Sequence, residues 1–299
     1  MSLLVVGSVA LDSVKTPFGE IKEGLGGSAT YFSIAAGCFS KVRLVAVVGE
    51  DFPAKHVSFL KSRGVDLRGL SRAKGKTFRW KGFYGDDMNE AKTLRTDLNV
   101  FETFRPELPP PYRDTPFVFL ANIDPDLQRN VVDQIPDPYL VACDTMNYWI
   151  SSKPEALRKT LSRVDILFVN EGEARQLAGG SNLLKAARRL LSMGPSTVVI
   201  KRGEYGALLF RKDSLFWAPA YPLETVKDPT GAGDSFAGGF MGYLSRRKGL
   251  TETRLRRALI YGSIMASFNV EAFSLNRLRK IKREDVEQRF QAFRGLVRF

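Results

Sequence analysis

The sequence predicts an α/β sandwich with a mostly parallel central sheet and a small second sheet outside it. Three observations predict this. Short apolar runs rich in β-branched residues recur along the 299 residues, continuous rather than alternating, as strands buried on both faces of a parallel sheet are. Helical apolar patterns lie between many of these runs. One region instead alternates apolar and polar residues, which marks strands with one covered and one exposed face.

Taken in order, LLVVGSV (3–9) is the first strand of the main sheet. DSVKTPFGEIKEGL (12–25) supplies two short strands of the outer sheet, and SATYFSIAAGCF a helix behind them. VRLVAVV (42–48) is the next main strand. KTFRWKGFYG (76–85) and AKTLRTDLNVF (91–101), separated by the polar DDMNE, read as a hairpin of the outer sheet. The proline-rich RPELPPPYRD (105–114) returns the chain to the main domain. FVFLA (117–121), YLVACD (139–144), VDILFVN (164–170) and TVVIK (197–201) complete the predicted strands. KPEALRKTLSRV and NLLKAARRLLSM are the helices before the last two. The main domain is thus expected at 1–11, 26–75 and 102–299, and a β lid at 12–25 and 76–101.

Composition narrows the function. Hydrophobic residues make up 44% and charged residues 26%, ordinary for a globular chain in water. No stretch reaches the ~18 apolar residues of a membrane helix. MSLLVVGSVALD lacks the basic head of a signal peptide, so a cytoplasmic protein is expected. Cys38, Cys143 and the single histidine, His56, have no metal-ligand spacing and read as reduced thiols and a surface imidazole. The net charge is +13, and from Arg246 onward fourteen Arg and Lys stand against five Asp and Glu. These lie on helical patterns such as TETRLRRALIYGSIMASF, where a solvated helix face accounts for them better than a nucleic-acid surface. A field of this sign also attracts anionic ligands such as nucleotides.

The densest signal is KDPTGAGDSFAGGF (227–240). Gly231, Ala232 and Gly233 precede an apolar helix from about Ser235 to Leu244. Small residues at a helix start leave N–H groups uncovered at the positive end of the helix dipole, which makes an anion site. Asp234, in the first turn, could take a proton from a hydroxyl attacking a phosphate held there. Any side chain at Gly233 is expected to crowd that phosphate or strain the turn. The plainer alternative is a glycine-rich helix start, with Gly238 and Gly239 packing on a neighbouring helix.

This stretch resembles the second signature of the ribokinase-like (PfkB) family of carbohydrate and nucleoside kinases. GLGGSATYFSIAAG resembles the first signature, with Gly26 and Gly27 as its di-glycine. Asn170 and Glu173 in VNEGEA match the NxxE motif, and KRGEYGALLF matches the segment under the nucleotide. The four occur in family order across nearly the whole chain. The resemblance implies a three-layer α/β/α sandwich with a β lid, and ATP-dependent transfer of the γ-phosphoryl group to a hydroxyl. It implies Asp234 as general base, with the amides of Gly231, Ala232 and Gly233 as anion hole. Asn170 and Glu173 would organise Mg²⁺, Glu173 through water. Lys201, Gly203 and Thr230 would lie along the nucleotide. Asp12, Gly26, Gly27, Tyr31 and Asn122 would meet the acceptor. A monovalent cation such as K⁺ would bind near Asp228 and 272–274.

Two departures bear on the acceptor. Tyr31 stands where the family usually has an Asn that contacts sugar hydroxyls, and CDTMNYW (143–149) lacks the arginine of many sugar kinases. A sugar, cyclitol or related polyol is the first expectation for the acceptor. A nucleoside (adenosine, inosine or cytidine) is the alternative, because Phe78, Trp80, Phe83 and Tyr84 could stack on a base. From a different class, a non-catalytic ATP- or RNA-binding protein would use the basic C-terminal third. Phe78 and Trp80 could instead pack lid to lid, so a monomer and a lid-mediated homodimer both remain open. Asn122, Asp124, Asp144 and Asn147, at strand ends, read equally as ligand contacts or helix caps.

Overall fold

A computed structural model describes residues 1–298. In chain order the strands are β1 (Ser2–Val6), β2 (Ala10–Thr16), β3 (Gly19–Gly26), β4 (Lys41–Gly49), β5 (Asp66–Ala73), β6 (Arg79–Phe83), β7 (Lys92–Asp97), β8 (Phe117–Leu120), β9 (Leu140–Asp144), β10 (Ile166–Asn170), β11 (Thr197–Lys201), β12 (Ala207–Arg211) and β13 (Ser214–Ala218). The helices are α1 (Ser28–Ala36), α2 (Ala54–Ser62), α3 (Pro125–Asp133), α4 (Asn147–Ser152), α5 (Pro154–Leu161), α6 (Glu171–Ala178), α7 (Leu183–Leu191), α8 (Ala232–Leu244), α9 (Glu252–Asn269) and α10 (Arg283–Leu296).

The main sheet has nine strands in the order β13-β12-β11-β10-β9-β8-β1-β4-β5. It is parallel from β11 to β5 and ends in the antiparallel hairpin β12–β13. Apart from the edge strands β5 and β13, its strands are buried on both faces, which explains their unbroken apolar runs. On β1, Leu3 and Val5 join a core with Phe32 of α1, Phe240 of α8 and Ile264 of α9. Leu4 and Val6 join the opposite core with Val131 of α3, Leu157 of α5 and Ala187 of α7. The result is the three-layer sandwich that the sequence predicts. Strand order reverses between β1 and β8, so the crevice beyond the carboxyl ends of these strands is where such a sheet accepts ligands.

The smaller sheet has the order β3-β2-β6-β7 and springs from the end of β1. Strand β2 pairs parallel to β6, with Asp12 opposite Trp80 and Val14 opposite Gly82, so these residues share a face. That face meets the main domain: Thr16 Oγ1 donates to the Lys227 carbonyl at 2.9 Å, and Asp12 lies against Gly26.

Two details differ from the sequence reading. β5 and β13, both edge strands with mixed polar and apolar residues, carry no apolar run and were not foreseen. His56 is no surface residue. It is buried beside Phe52, ring centroids 5.6 Å apart, and burial holds its imidazole down at about 4. Among the described residues no helix is long and apolar enough to cross a membrane.

Candidate active site

The carboxyl ends of β9, β10 and β11, the start of α8 and the inner face of the small sheet converge. At the start of α8, Gly231 has φ +76, and a methyl group built on it would stand 2.3 Å from the Tyr31 ring. Only glycine combines this turn with this contact. The Ala232 N–H donates to the Pro229 carbonyl at 3.0 Å and is therefore engaged. The N–H groups of Gly231, Gly233 and Asp234 have no backbone acceptor among the described residues. The set without a backbone acceptor thus drops Ala232 and gains Asp234 relative to the sequence expectation.

Asn269 helps to keep these amides open. It lies buried at the end of α9, and its Nδ2 donates to the Thr230 carbonyl at 2.7 Å, while Ser235 Oγ donates to its Oδ1 at 3.2 Å. The Thr230 carbonyl would otherwise be the natural acceptor for the Asp234 N–H one turn on. The Thr230 hydroxyl itself is buried without a partner. Further along α8, glycine lets helices touch: a methyl on Gly238 would meet the Phe32 carbonyl at 2.6 Å, and one on Gly239 the Tyr261 carbonyl at 2.5 Å. The motif therefore serves both the turn and the packing.

Asp234 sits in the first turn of α8, with its carboxyl raised to about 7. Burial is the main cause, the Asp144 charge adds to it and Lys201 opposes it. Lys201, at the end of β11, reaches past β10 to Asp144 at the end of β9, Nζ to Oδ2 2.7 Å. A methyl built on Gly233 would stand 3.1 Å from the same Nζ, so the ammonium lies against the start of α8. Asn170 and Glu173 form a capping box on α6. Asn170 Oδ1 accepts the Glu173 N–H at 2.8 Å, and Glu173 Oε2 accepts the Asn170 N–H at 2.7 Å. Burial pushes the Glu173 carboxyl up, against the pull of Lys201. Gly203, at φ +55, lies under the loop between β6 and β7, where a methyl would meet Asn89 Oδ1 at 2.0 Å.

On the other side of α8, Asp12 Oδ2 accepts the Gly27 N–H at 3.2 Å. A methyl on Gly26 would fall 1.8 Å from that oxygen, and one on Gly27, at φ +93, would fall 2.5 Å from the Ser8 carbonyl. The di-glycine thus lets a carboxylate lie directly on the chain. Burial raises Asp12 to about 7, with Asp228 and Asp234 adding to the effect. Tyr31 is buried with its hydroxyl unpartnered, and burial and nearby Asp12 hold that hydroxyl well above its usual range. Asp228 Oδ1 accepts the Thr230 N–H at 3.0 Å and Oδ2 the Ser274 N–H at 2.9 Å, which draws the 228 and 272–274 loops together. Asn122 stands further out, its Oδ1 accepting from Trp149 Nε1 at 3.0 Å. Asp124 caps α3 through the Asp126 N–H at 2.9 Å and pairs with Lys153.

The arrangement joins uncovered amides at a helix start, a carboxyl poised near neutrality and a cation beside them. It suits transfer of an anionic group to a hydroxyl. The chain matches the model of the pfkB family of carbohydrate kinases over residues 3–280, and it belongs to that family. It is a kinase, transferring a phosphoryl group to a hydroxyl of a sugar or nucleoside. Membership sets aside the reading as a non-catalytic binding protein. The chain is 32% identical to a cytidine kinase of Thermococcus kodakarensis over 260 residues, 84% of this chain and 91% of that one. It superposes on a nucleoside kinase of Methanocaldococcus jannaschii with a TM-score of 0.80 at 21% identity, covering 97% of this chain and 98% of that one. A chain from Escherichia coli solved with ATP and Mg²⁺ gives a TM-score of 0.79 at 19% identity, covering 97% and 99%.

Proposed function

We propose that this kinase phosphorylates a nucleoside, with cytidine the first candidate, using ATP and Mg²⁺. The observation that carries the reading is the likeness to a cytidine kinase along most of both chains. It reverses the order of acceptors read from the motifs alone, in which a sugar or cyclitol came first.

Of the four lid aromatics, Trp80 supports the same reading. Phe78 stacks on Phe101 at 5.4 Å, Phe83 points to the outer face and Tyr84 is buried near Asp228. Trp80 shares the inner face with Asp12. Its indole lies across Gly82, where a methyl would fall 2.0 Å from the ring, and its Nε1–H donates to Thr93 Oγ1 at 3.2 Å. A half-buried indole fixed in this way is a platform for a flat base.

In this reading Asp12, Gly26, Gly27, Tyr31 and Asn122 line the acceptor side. Asp12 accepts from ribose hydroxyls, and the unpartnered Tyr31 hydroxyl is a further polar group for the ligand. Asp234 takes the proton of the attacking hydroxyl, and the Gly231, Gly233 and Asp234 amides hold the phosphoryl oxygens. Lys201, Gly203 and Thr230 lie along the nucleotide. Among the described residues no three His, Cys, Asp or Glu cluster into a metal cage. Mg²⁺ would therefore be held by phosphate oxygens and water, with Glu173 and Asn170 ordering that water. A monovalent cation such as K⁺ would sit where the 228 and 272–274 loops meet.

Base stacking on an aromatic is worth about 1–3 kcal/mol, or roughly 5- to 150-fold in affinity. Trp80→Ala should therefore raise the nucleoside KM by about tenfold or more with a smaller change in kcat, and Trp80→Phe should restore most of it. Steady-state kinetics on cytidine decide the matter. An unchanged KM in Trp80→Ala removes the platform.

A further inference from the structure

We propose that Lys201 clamps the transferring phosphoryl group and that Asp144 is the positioning residue that holds it there. This deepens the phosphotransfer reading and does not depend on which hydroxyl compound is the acceptor.

Charge makes the first argument. The Asp144 charge raises both Asp234 and Glu173, and Asp234 raises Glu173 further. Lys201 is the cation that opposes this effect at both carboxyls. Asp12 on the acceptor side adds further negative charge. A site of this sign repels a polyphosphate unless a cation meets it, and metal ions and basic side chains share that task in phosphoryl transfer. CDTMNYW (143–149) itself carries no basic residue, and Lys201 is the cation that reaches Asp144 at its start.

Geometry makes the second. Lys201 is largely buried, and its ammonium lies against Gly233, where the uncovered amides of α8 begin. Asp144 is itself anchored. Its Oδ1 accepts the Thr145 N–H at 2.9 Å, and its carbonyl accepts Gln128 Nε2 at 2.9 Å. A pair tying two neighbouring helices would serve stability alone, whereas this pair spans three strand ends and stops at the amide cradle. In the step itself, the acceptor oxygen forms a bond to the γ-phosphorus as its proton passes to Asp234. The bond to the β-γ bridging oxygen breaks, and its electron pair leaves on the β-phosphate. Lys201 donates a hydrogen bond to a non-bridging γ-oxygen and gives up no proton.

The test is binding as well as rate, on the full chain with Mg²⁺. Calorimetry with ATP and with ADP should show Lys201→Met weakening ATP by about tenfold while ADP changes less than about threefold, because the lysine meets the group that ADP lacks. The kcat should fall by ~10²- to 10³-fold, as for loss of one transition-state donor, and Lys201→Arg should recover part of it. Should Lys201→Met fail to fold, Lys201→Gln, which can still bond Asp144, carries the same comparison. Asp144→Asn should lower kcat with ADP binding unchanged. Equal weakening of ATP and ADP, or a normal kcat in Lys201→Met, overturns the clamp. A normal kcat in Asp144→Asn overturns the positioning role. The ATP-to-ADP ratio is informative even if cytidine is not phosphorylated, so the two readings can fail separately.

Discussion

Replacing Asp234 with Asn should lower kcat by ~10²- to 10⁴-fold, the usual contribution of a positioned base, and leave ATP affinity nearly unchanged. The amide keeps the shape of the carboxylate and the start of α8 but cannot accept a proton. The phosphate contacts are assigned to backbone N–H groups that the substitution does not touch. A pH profile gives the same test from another side. Burial and Asp144 raise the Asp234 carboxyl to about 7. The base must be unprotonated to act, so kcat should fall as pH drops below about 7, and Asp234→Asn should abolish that limb. Stopped assays with ATP titrations read both. A near-normal kcat in the variant contradicts the assignment of the base.

Gly231→Ala should damage both stability and rate. Its φ of +76 is a conformation that alanine resists, and its methyl would stand 2.3 Å from the buried Tyr31 ring. Left-handed strain and overpacking each cost about 1–3 kcal/mol, so a fall in Tm of several degrees or more is expected. The displaced turn carries the amides with it, and a misplaced donor typically costs ~10²-fold in kcat. Gly233→Ala should be milder for stability. Gly233 has an ordinary helical φ, and its methyl would meet only the flexible end of Lys201. The motif alone leaves crowding of the phosphate and strain of the turn both open at Gly233; the left-handed φ lies at Gly231. Thermal melts of the two variants, read beside their kcat values, check the order. A Gly231→Ala protein as stable and active as Gly233→Ala contradicts it.

Much of the fold was legible because burial leaves a plain trace. Strands β1, β4, β8, β9, β10 and β11 are covered on both faces, so they read as unbroken apolar runs. The edge strands β5 and β13 are wet on one side and carry no such run. In the site, the glycines announced themselves because a side chain was missing where one is usual. Gly26 and Gly27 yield to Asp12 and Ser8, and Gly231 to Tyr31. Asn269 left no signal, because its role is a contact across 39 residues with the Thr230 carbonyl. Asp144 was visible only as a strand-end carboxylate. Its partner Lys201 lies 57 residues away, and no spacing rule joins them. His56 was misread because its helix, α2, is mostly polar while that one position faces Phe52.

The acceptor is the central claim, and kcat/KM with ATP and Mg²⁺ across cytidine, inosine, adenosine, ribose, fructose and myo-inositol tests it most directly. The account predicts that a nucleoside, cytidine first, exceeds every free sugar and inositol by at least about fivefold, the smallest effect expected from a stacked base. Turnover of ribose, fructose or myo-inositol above all three nucleosides would contradict it.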